Sequence, residues 1–195
     1  MADWFLRDAQ PNFEEFVLPH ASEPLSFLQL GAYQGDAGVW IMQNFPHATL
    51  IDVDNFAVGD GMPGESADIE RDYHAQMGVW IEAGRAQLFK QDTFQFLREH
   101  RWPMFDCIYV DAYHSGSATL TNAVMSWDFL KPGGVMGFDD YDWCHPTIGA
   151  PPGHRPGPSI DAFCAIFGAD GLLDLLPDVE RHPGAGTIQR WVRKR

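Results

Sequence analysis

Five short apolar runs that alternate with helical segments restrict the fold more than any other feature of the sequence. The runs cover residues 25–30, 48–51, 86–89, 106–110 and 135–138, and helix-like spacing covers 37–44, 66–82, 93–99 and 117–130. A strand–helix–strand repeat returns the chain to the same edge of a sheet, so successive strands run parallel and helices cover both faces. The sequence therefore predicts an α/β fold with a doubly wound, mostly parallel sheet.

The remaining segments extend this pattern without adding a second domain. Residues 1–24 are predicted to form a helical lead-in, 160–167 a further helix, and 172–176 and 187–192 a last pair of strands. Residues 142–159 are rich in proline and glycine and lack periodicity, which favours a lid loop over a linker. A single domain over residues 1–195 is expected, because this length can bury a sizeable core.

The charge balance excludes several classes of partner. Thirteen basic and 27 acidic residues give a net charge of −14, which repels nucleic acid and anionic membranes and suits a metal cation and a neutral or cationic substrate. The N-terminus is charged, and no apolar run approaches the length of a membrane span. We therefore expect a cytoplasmic protein without a membrane segment.

Four acidic or imidazole side chains follow two of the predicted strands. Asp111 and His114 come after the run 106–110, and Asp139 and Asp140 come after the run 135–138. Neighbouring parallel strands place their carboxyl ends side by side, where open α/β sheets bind ligands. Carboxylate oxygens suit Mg²⁺ or a similar cation, and the histidine is then available as a general base. Taken singly, each residue could instead cap a helix or begin a loop.

A glycine turn after the first strand indicates a second ligand. Gly31 and Gly35 open onto a helix, and Asp52 and Asp92 follow the second and third predicted strands. Such a turn lets backbone N–H groups approach a ligand, and an acid after the second strand can accept hydrogen bonds from a ribose. Asp92 could contact adenine or simply cap the following helix. These positions suggest an adenosine cofactor but leave NAD and S-adenosylmethionine open.

At this point the sequence resembles the class I S-adenosylmethionine-dependent O-methyltransferases, especially the small metal-dependent group that acts on catechols and sugars. The matching segments are FLQLGAYQGDAGVW, TLIDVDNF, FDCIYVDAYHSG and LKPGGVMGFDDYDW. The resemblance implies a Rossmann-like, seven-stranded sheet with an antiparallel last strand. It also implies a site in which Asp111, Asp139 and Asp140 bind the metal and His114 is the base. The implied cofactor-binding residues are Gln29, Gly31, Ala32, Tyr33, Gly35, Asp52, Asp92 and Asp111.

Two positions depart from the family pattern. Gln29 stands where glutamate is usual, and Ala37-Gly38 stand where a Ser-Thr pair is usual. Losing one or two hydrogen bonds there would weaken cofactor binding by roughly ten- to a hundredfold.

The expected function is transfer of a methyl group from S-adenosylmethionine to a hydroxyl of a small sugar, polyketide or phenol, assisted by Mg²⁺ or another divalent cation. The histidine base favours a sugar or other aliphatic hydroxyl, and a homodimer is expected from the resemblance alone. A non-catalytic adenosine-cofactor binding module is the first alternative. An NAD-dependent oxidoreductase is the second, although the lysines Lys90, Lys131 and Lys194 form no Tyr-x-x-x-Lys pair.

Overall fold

The computed structural model of the protein describes residues 4–57, 66–100, 104–143, 155–180 and 187–195. Seven strands form one sheet: β1 (Ser26–Leu30), β2 (Thr49–Val53), β3 (Ala86–Phe89), β4 (Phe105–Val110), β5 (Leu130–Phe138), β6 (Leu173–Leu175) and β7 (Arg190–Lys194).

The sheet has the predicted architecture. Its strand order is β3-β2-β1-β4-β5-β7-β6, and β1 to β5 pair in parallel. Strand β7 lies between β5 and β6 and is antiparallel to both. The predicted doubly wound, seven-stranded, Rossmann-like sheet with an antiparallel last strand is therefore confirmed.

Six α-helices accompany these strands in the described residues: α1 (Gln10–Phe16), α2 (Asp36–Asn44), α3 (Ser66–Glu82), α4 (Thr93–Glu99), α5 (Gly116–Trp127) and α6 (Pro156–Ala169). A π-helical turn at Phe5–Ala9 and a 3₁₀ turn at Leu18–His20 flank α1 and complete the lead-in. None of the helices in the described part of the chain has both the length and the apolar character that a membrane crossing requires.

The core has two parts, which contain alternate side chains of the central strands. One part contains buried residues of the lead-in, α2 and α3, such as Phe13, Trp40 and Tyr73. The other contains buried residues of α4, α5 and α6, such as Phe96 and Trp127. Since side chains of a strand point alternately to opposite faces, each central strand contributes to both clusters and is buried on both sides.

Several predicted boundaries were wrong. Strand β2 continues through Asp52 to Val53, and the last strand covers Arg190–Lys194 instead of 187–192. Strand β5 begins at Leu130, where the sequence predicts the end of a helix. Residues 156–159 belong to α6 and not to the lid loop, because a proline in the first helical turn has the backbone angle that a helix needs. The central part of the predicted lid, 144–154, lies outside the described residues.

Candidate active site

The carboxyl ends of β1, β4 and β5 bring the predicted acidic residues together. The Asp111 N–H donates to the Leu30 oxygen at 2.8 Å, and the Asp139 N–H donates to the Val110 oxygen at 3.1 Å. These two hydrogen bonds continue the parallel pairing just beyond the strands, so Asp111 and Asp139 occupy neighbouring positions. Both residues therefore lie at one edge of the sheet, as the sequence predicts.

Asp111, His114 and Asp140 form a group of possible metal ligands. One ligand atom from each side chain lies within 4.8 Å of the other two. His114 Nε2 lies 2.9 Å from Asp140 Oδ2, and the two side chains are 24% and 15% exposed. The Trp143 ring lies against the imidazole, with 4.8 Å between the ring centroids. A small, half-buried site with two carboxylates and one imidazole results.

Asp139 belongs to the same cluster but is engaged in hydrogen bonds. Its Oδ1 accepts from the Asp140 N–H at 2.8 Å and from Gln189 Nε2 at 3.1 Å. Its carboxyl group is also hydrogen-bonded to Tyr109 and Asp111. The sequence offered no signal for Gln189, because the pairing of β7 with β5 brings it to the site from 50 positions away.

Simultaneous ionisation of all the carboxyl groups in this cluster is unfavourable, because their negative charges repel one another. Burial and the negative charge of Asp139 raise the pKa of Asp111 well above its usual range. Burial and the charge of Asp140 raise the pKa of Asp139 in the same way. Two carboxyl groups that are hydrogen-bonded to each other must share a proton, unless a cation takes its place.

His114 experiences two opposing influences. Burial alone would lower the pKa of the imidazole, but its hydrogen bond to Asp140 and the charges of Asp140 and Asp139 raise the pKa overall. The protonated imidazole is therefore favoured while Asp140 carries a free negative charge. In that state His114 cannot accept a proton.

The glycine turn is shaped by close contact between backbones. At Gly31 the φ angle is +93°, and a Cβ atom would lie 2.0 Å from the Asp111 carbonyl oxygen. At Gly35 a Cβ atom would lie 3.0 Å from the Met77 side chain. Gly31 thus allows the end of β1 to touch the residue that follows β4, which links the turn directly to the acidic cluster.

Asp54, which follows β2 and holds this turn, is a residue that was not predicted from the sequence. Its Oδ2 accepts hydrogen bonds from the Ala32 and Tyr33 N–H groups at 2.7 and 2.8 Å. These two donors of the predicted cofactor turn are therefore occupied by the protein itself. A signal was present, because Asp54 follows β2 directly, but the predicted strand ends at residue 51, two residues before the end of β2.

Asp52 and Asp92, the two acids predicted for the adenosine side, lie in different environments. Asp52 points into the core, is fully buried and accepts a hydrogen bond from the Tyr73 hydroxyl at 2.6 Å. Asp92 Oδ1 caps α4 by accepting from the Phe94 and Gln95 N–H groups, so the capping interpretation is confirmed. The other oxygen of Asp92 accepts from the Tyr113 hydroxyl at 2.6 Å.

Gln29 lies at the end of β1 with one polar atom unused. Its Nε2 donates to the Gly31 oxygen at 2.9 Å, which fixes the side chain against the turn. Its Oε1 is buried and has no hydrogen-bond partner among the described residues. An acceptor left in this way can be satisfied by a donor from a ligand.

The order and direction of the seven strands are those of the class I methyltransferases. A family profile described as "Methyltransferase domain" matches residues 28–141, which is more than half of the chain, and the chain belongs to this family. Among curated protein sequences, none matches the chain. The family favours the methyltransferase interpretation over the NAD-dependent alternative.

Solved structures share the fold at low sequence identity. An O-methyltransferase from Bacillus cereus, solved with SAH, is 14% identical with a TM-score of 0.67, over 94% of this chain and 80% of that chain. TomG from Streptomyces achromogenes, involved in tomaymycin synthesis and solved with SAM, is 11% identical with a TM-score of 0.68, over 95% and 78%. SAH-bound PaMTH1 from Podospora anserina is 16% identical with a TM-score of 0.58, over 87% and 71%. At these identities the likeness concerns the fold.

Proposed function

We propose that the protein is an S-adenosylmethionine-dependent O-methyltransferase that modifies a hydroxyl group of a small molecule with the help of a divalent cation. The observation that carries this proposal is the convergence of Asp111, His114 and Asp140 beside the glycine turn of a methyltransferase domain. Structures with the same fold contain SAM or SAH, which supports this choice of cofactor.

The residues around the turn fit a cofactor with both an amino group and a ribose. The unpartnered Gln29 Oε1 can accept a hydrogen bond from an ammonium group. We assign the ribose-side carboxylate to Asp54 instead of Asp52, because Asp54 is half-buried after the end of β2 whereas Asp52 is enclosed in the core. The predicted adenine contact of Asp92 would require its Tyr113 partner to move or to share it. When bound, S-adenosylmethionine supplies a methyl group on a positively charged sulfur.

The acidic cluster fits a hard divalent cation. Asp111 and Asp140 would hold it, since both offer carboxylate oxygens at the edge of the same crevice. Direct ligation by Asp139 remains a prediction, because its Oδ1 already accepts two hydrogen bonds. When bound, a divalent cation lowers the pKa of a coordinated hydroxyl group and positions it for attack.

His114 is proposed as the general base, which agrees with its place beside Asp140. Burial alone would lower the pKa of its imidazole, but the hydrogen bond to Asp140 and the charge of that carboxylate raise it overall. A cation held by Asp140 would offset the charge of that carboxylate and would lower the pKa of His114. The neutral imidazole can then accept the proton of the acceptor hydroxyl near neutral pH.

The acceptor is proposed to be a neutral or cationic small molecule. The net charge of −14 disfavours a polyanionic acceptor. The resemblance to sugar-modifying members, which have a histidine base, favours a sugar or other aliphatic hydroxyl. Phenols and polyketides satisfy the same chemistry, so a panel of acceptors from all three classes is the appropriate screen.

Calorimetric titration tests the proposal without knowledge of the acceptor. The wild-type protein is titrated with S-adenosylhomocysteine, and then with Mg²⁺ in its presence. We expect micromolar cofactor binding and a separate Mg²⁺ heat that Asp140→Ala removes while the cofactor affinity stays within about threefold. The reason is that Asp140 belongs to the acidic cluster, and its hydrogen bonds join it to Asp139 and His114 and not to the glycine turn.

Glu82→Ala is the matched control, because it removes an exposed carboxylate at the end of α3. It should leave both heats unchanged. Absence of cofactor binding in the wild type would reject the methyltransferase proposal. Cofactor binding without any Mg²⁺ heat would reject the cation and keep the methyl transfer.

A further inference from the structure

Gln189 is a buried polar side chain whose amide group is fully engaged. It lies immediately before β7 and is 5% exposed. Its Nε2 donates to the Tyr109 hydroxyl at 2.6 Å and to Asp139 Oδ1 at 3.1 Å. Its Oε1 accepts from Trp191 Nε1 at 2.9 Å. Through these three hydrogen bonds, the buried amide connects β7 to the acidic cluster.

The orientation of this amide is fixed by the chemistry of its neighbours. The indole N–H of Trp191 can only donate, so it must face the amide oxygen. The amide nitrogen must then point toward Tyr109 and Asp139. A reversed amide would place two donors against each other at Trp191 and two acceptors against each other at Asp139.

Trp191 is itself held rigidly. Its ring lies over Gly137 of β5, where a Cβ atom would come within 2.5 Å of the indole. Phe13 of α1 packs edge-on against the same ring, with centroids 5.0 Å apart. The lead-in helix, the last strand and β5 therefore hold the indole, and the indole holds Gln189.

We infer that Gln189 is a positioning residue for the acidic cluster, an inference that rests on the proposed cation site. Its Nε2 and the Tyr109 hydroxyl fix the Asp139 carboxyl group, which is in turn hydrogen-bonded to Asp111. Asp111 is thereby oriented toward Asp140 and the cation that the two would share. Gln189 touches neither the cofactor turn nor His114 in any of its side-chain hydrogen bonds.

Mg²⁺ titration of Gln189→Met in the presence of S-adenosylhomocysteine tests this role. Methionine keeps the length and most of the volume of glutamine but removes both donors to Tyr109 and Asp139. We expect Mg²⁺ affinity to fall by about 10- to 100-fold, the usual effect of losing a partner of a metal ligand. Cofactor affinity should stay within about twofold, which a general loss of structure would not allow.

Two further variants complete the experiment. Gln87→Met is the matched control, because Gln87 is an exposed glutamine of β3, and it should leave both affinities unchanged. Tyr109→Phe removes only the hydroxyl from the network and should weaken Mg²⁺ binding in the same direction, even where Gln189→Met fails to fold.

The outcomes separate this inference from the proposed function. Full Mg²⁺ affinity in a folded Gln189→Met protein, or in Tyr109→Phe where Gln189→Met does not fold, overturns the positioning role and leaves the cation site intact. A wild-type protein that binds S-adenosylhomocysteine but gives no Mg²⁺ heat overturns the cation site, and the inference with it.

Discussion

Asp52 is a carboxyl group in an environment that opposes its charge. It is fully buried within β2, and burial raises its pKa to about 7, although the Tyr73 hydroxyl bond acts in the opposite direction. Its Oδ1 has no hydrogen-bond partner among the described residues. The folded protein therefore binds a proton at Asp52 between about pH 4 and pH 7 that the unfolded chain releases.

This difference predicts a pH-dependent stability. Because the pKa is raised by folding, the contribution of Asp52 is fully present below the unfolded pKa and is lost as the pH rises through about 7. An asparagine side chain at this position carries no charge at either pH. Asp52→Asn should therefore gain stability relative to the wild type as the pH rises from 5 to 7, by about 2–3 kcal/mol. Urea unfolding of both proteins at these two pH values measures the difference.

Tyr73→Phe is the companion variant for this prediction. It removes the hydrogen bond that favours the charged form of Asp52, and the pKa of Asp52 should rise further. Its loss of stability between pH 5 and 8 should therefore exceed that of the wild type. A stability difference between wild type and Asp52→Asn that does not vary with pH would contradict the raised pKa.

At the scale of the elements, the turn between β1 and α2 joins the cofactor side of the crevice to the acidic side. Gly31→Ala would place a methyl group 2.0 Å from the Asp111 carbonyl oxygen at a φ angle of +93°. Both the clash and the backbone strain oppose folding, so we expect a loss of about 3 kcal/mol or more in the free energy of unfolding. Urea unfolding with far-UV circular dichroism is the measurement.

Gly78→Ala provides the opposite expectation within the same protein. Gly78 lies inside α3, and a Cβ atom there would meet nothing within 4 Å. Alanine should stabilise that helix by about 0.5–1 kcal/mol. Equal effects of the two substitutions would mean that the close approach of β1 and β4 at Gly31 is not a constraint on the fold.

The same elements explain what the sequence could predict. The sequence was sufficient to predict strands β1 to β5 and the positions of Asp111, Asp139 and Asp140. These acids closely follow apolar runs, and parallel strands align their carboxyl ends. The role of Gln189 could not be predicted from the sequence, because its position depends on the antiparallel pairing of β7 with β5 over a long sequence separation. Asp54 was missed because the residue pattern does not fix the end of a strand. Asp52 and Asp54 both follow the apolar run 48–51, and the pattern does not show which of them lies beyond β2.

At the scale of the whole molecule, cations can affect stability in two ways: by screening the net charge of −14 and by binding at a specific site. Any salt screens the mutual repulsion of the acidic surface, so every cation should stabilise the fold to some extent. A cation that binds only the folded state adds a separate contribution that depends on its concentration relative to Kd. Thermal unfolding can distinguish the two effects when ionic strength is kept constant.

We expect MgCl₂ at about 100 times its Kd to stabilise the S-adenosylhomocysteine complex by about 2.7 kcal/mol beyond NaCl at equal ionic strength. For a chain of this size, that contribution corresponds to a rise in Tm of roughly 5–10 °C. In Asp140→Ala the two salts should give the same Tm, because one carboxylate of the Asp111–Asp140 pair is missing. Identical Tm values for the two salts in the wild type would assign the whole effect to screening, and the acidic cluster would then hold a shared proton in place of a cation.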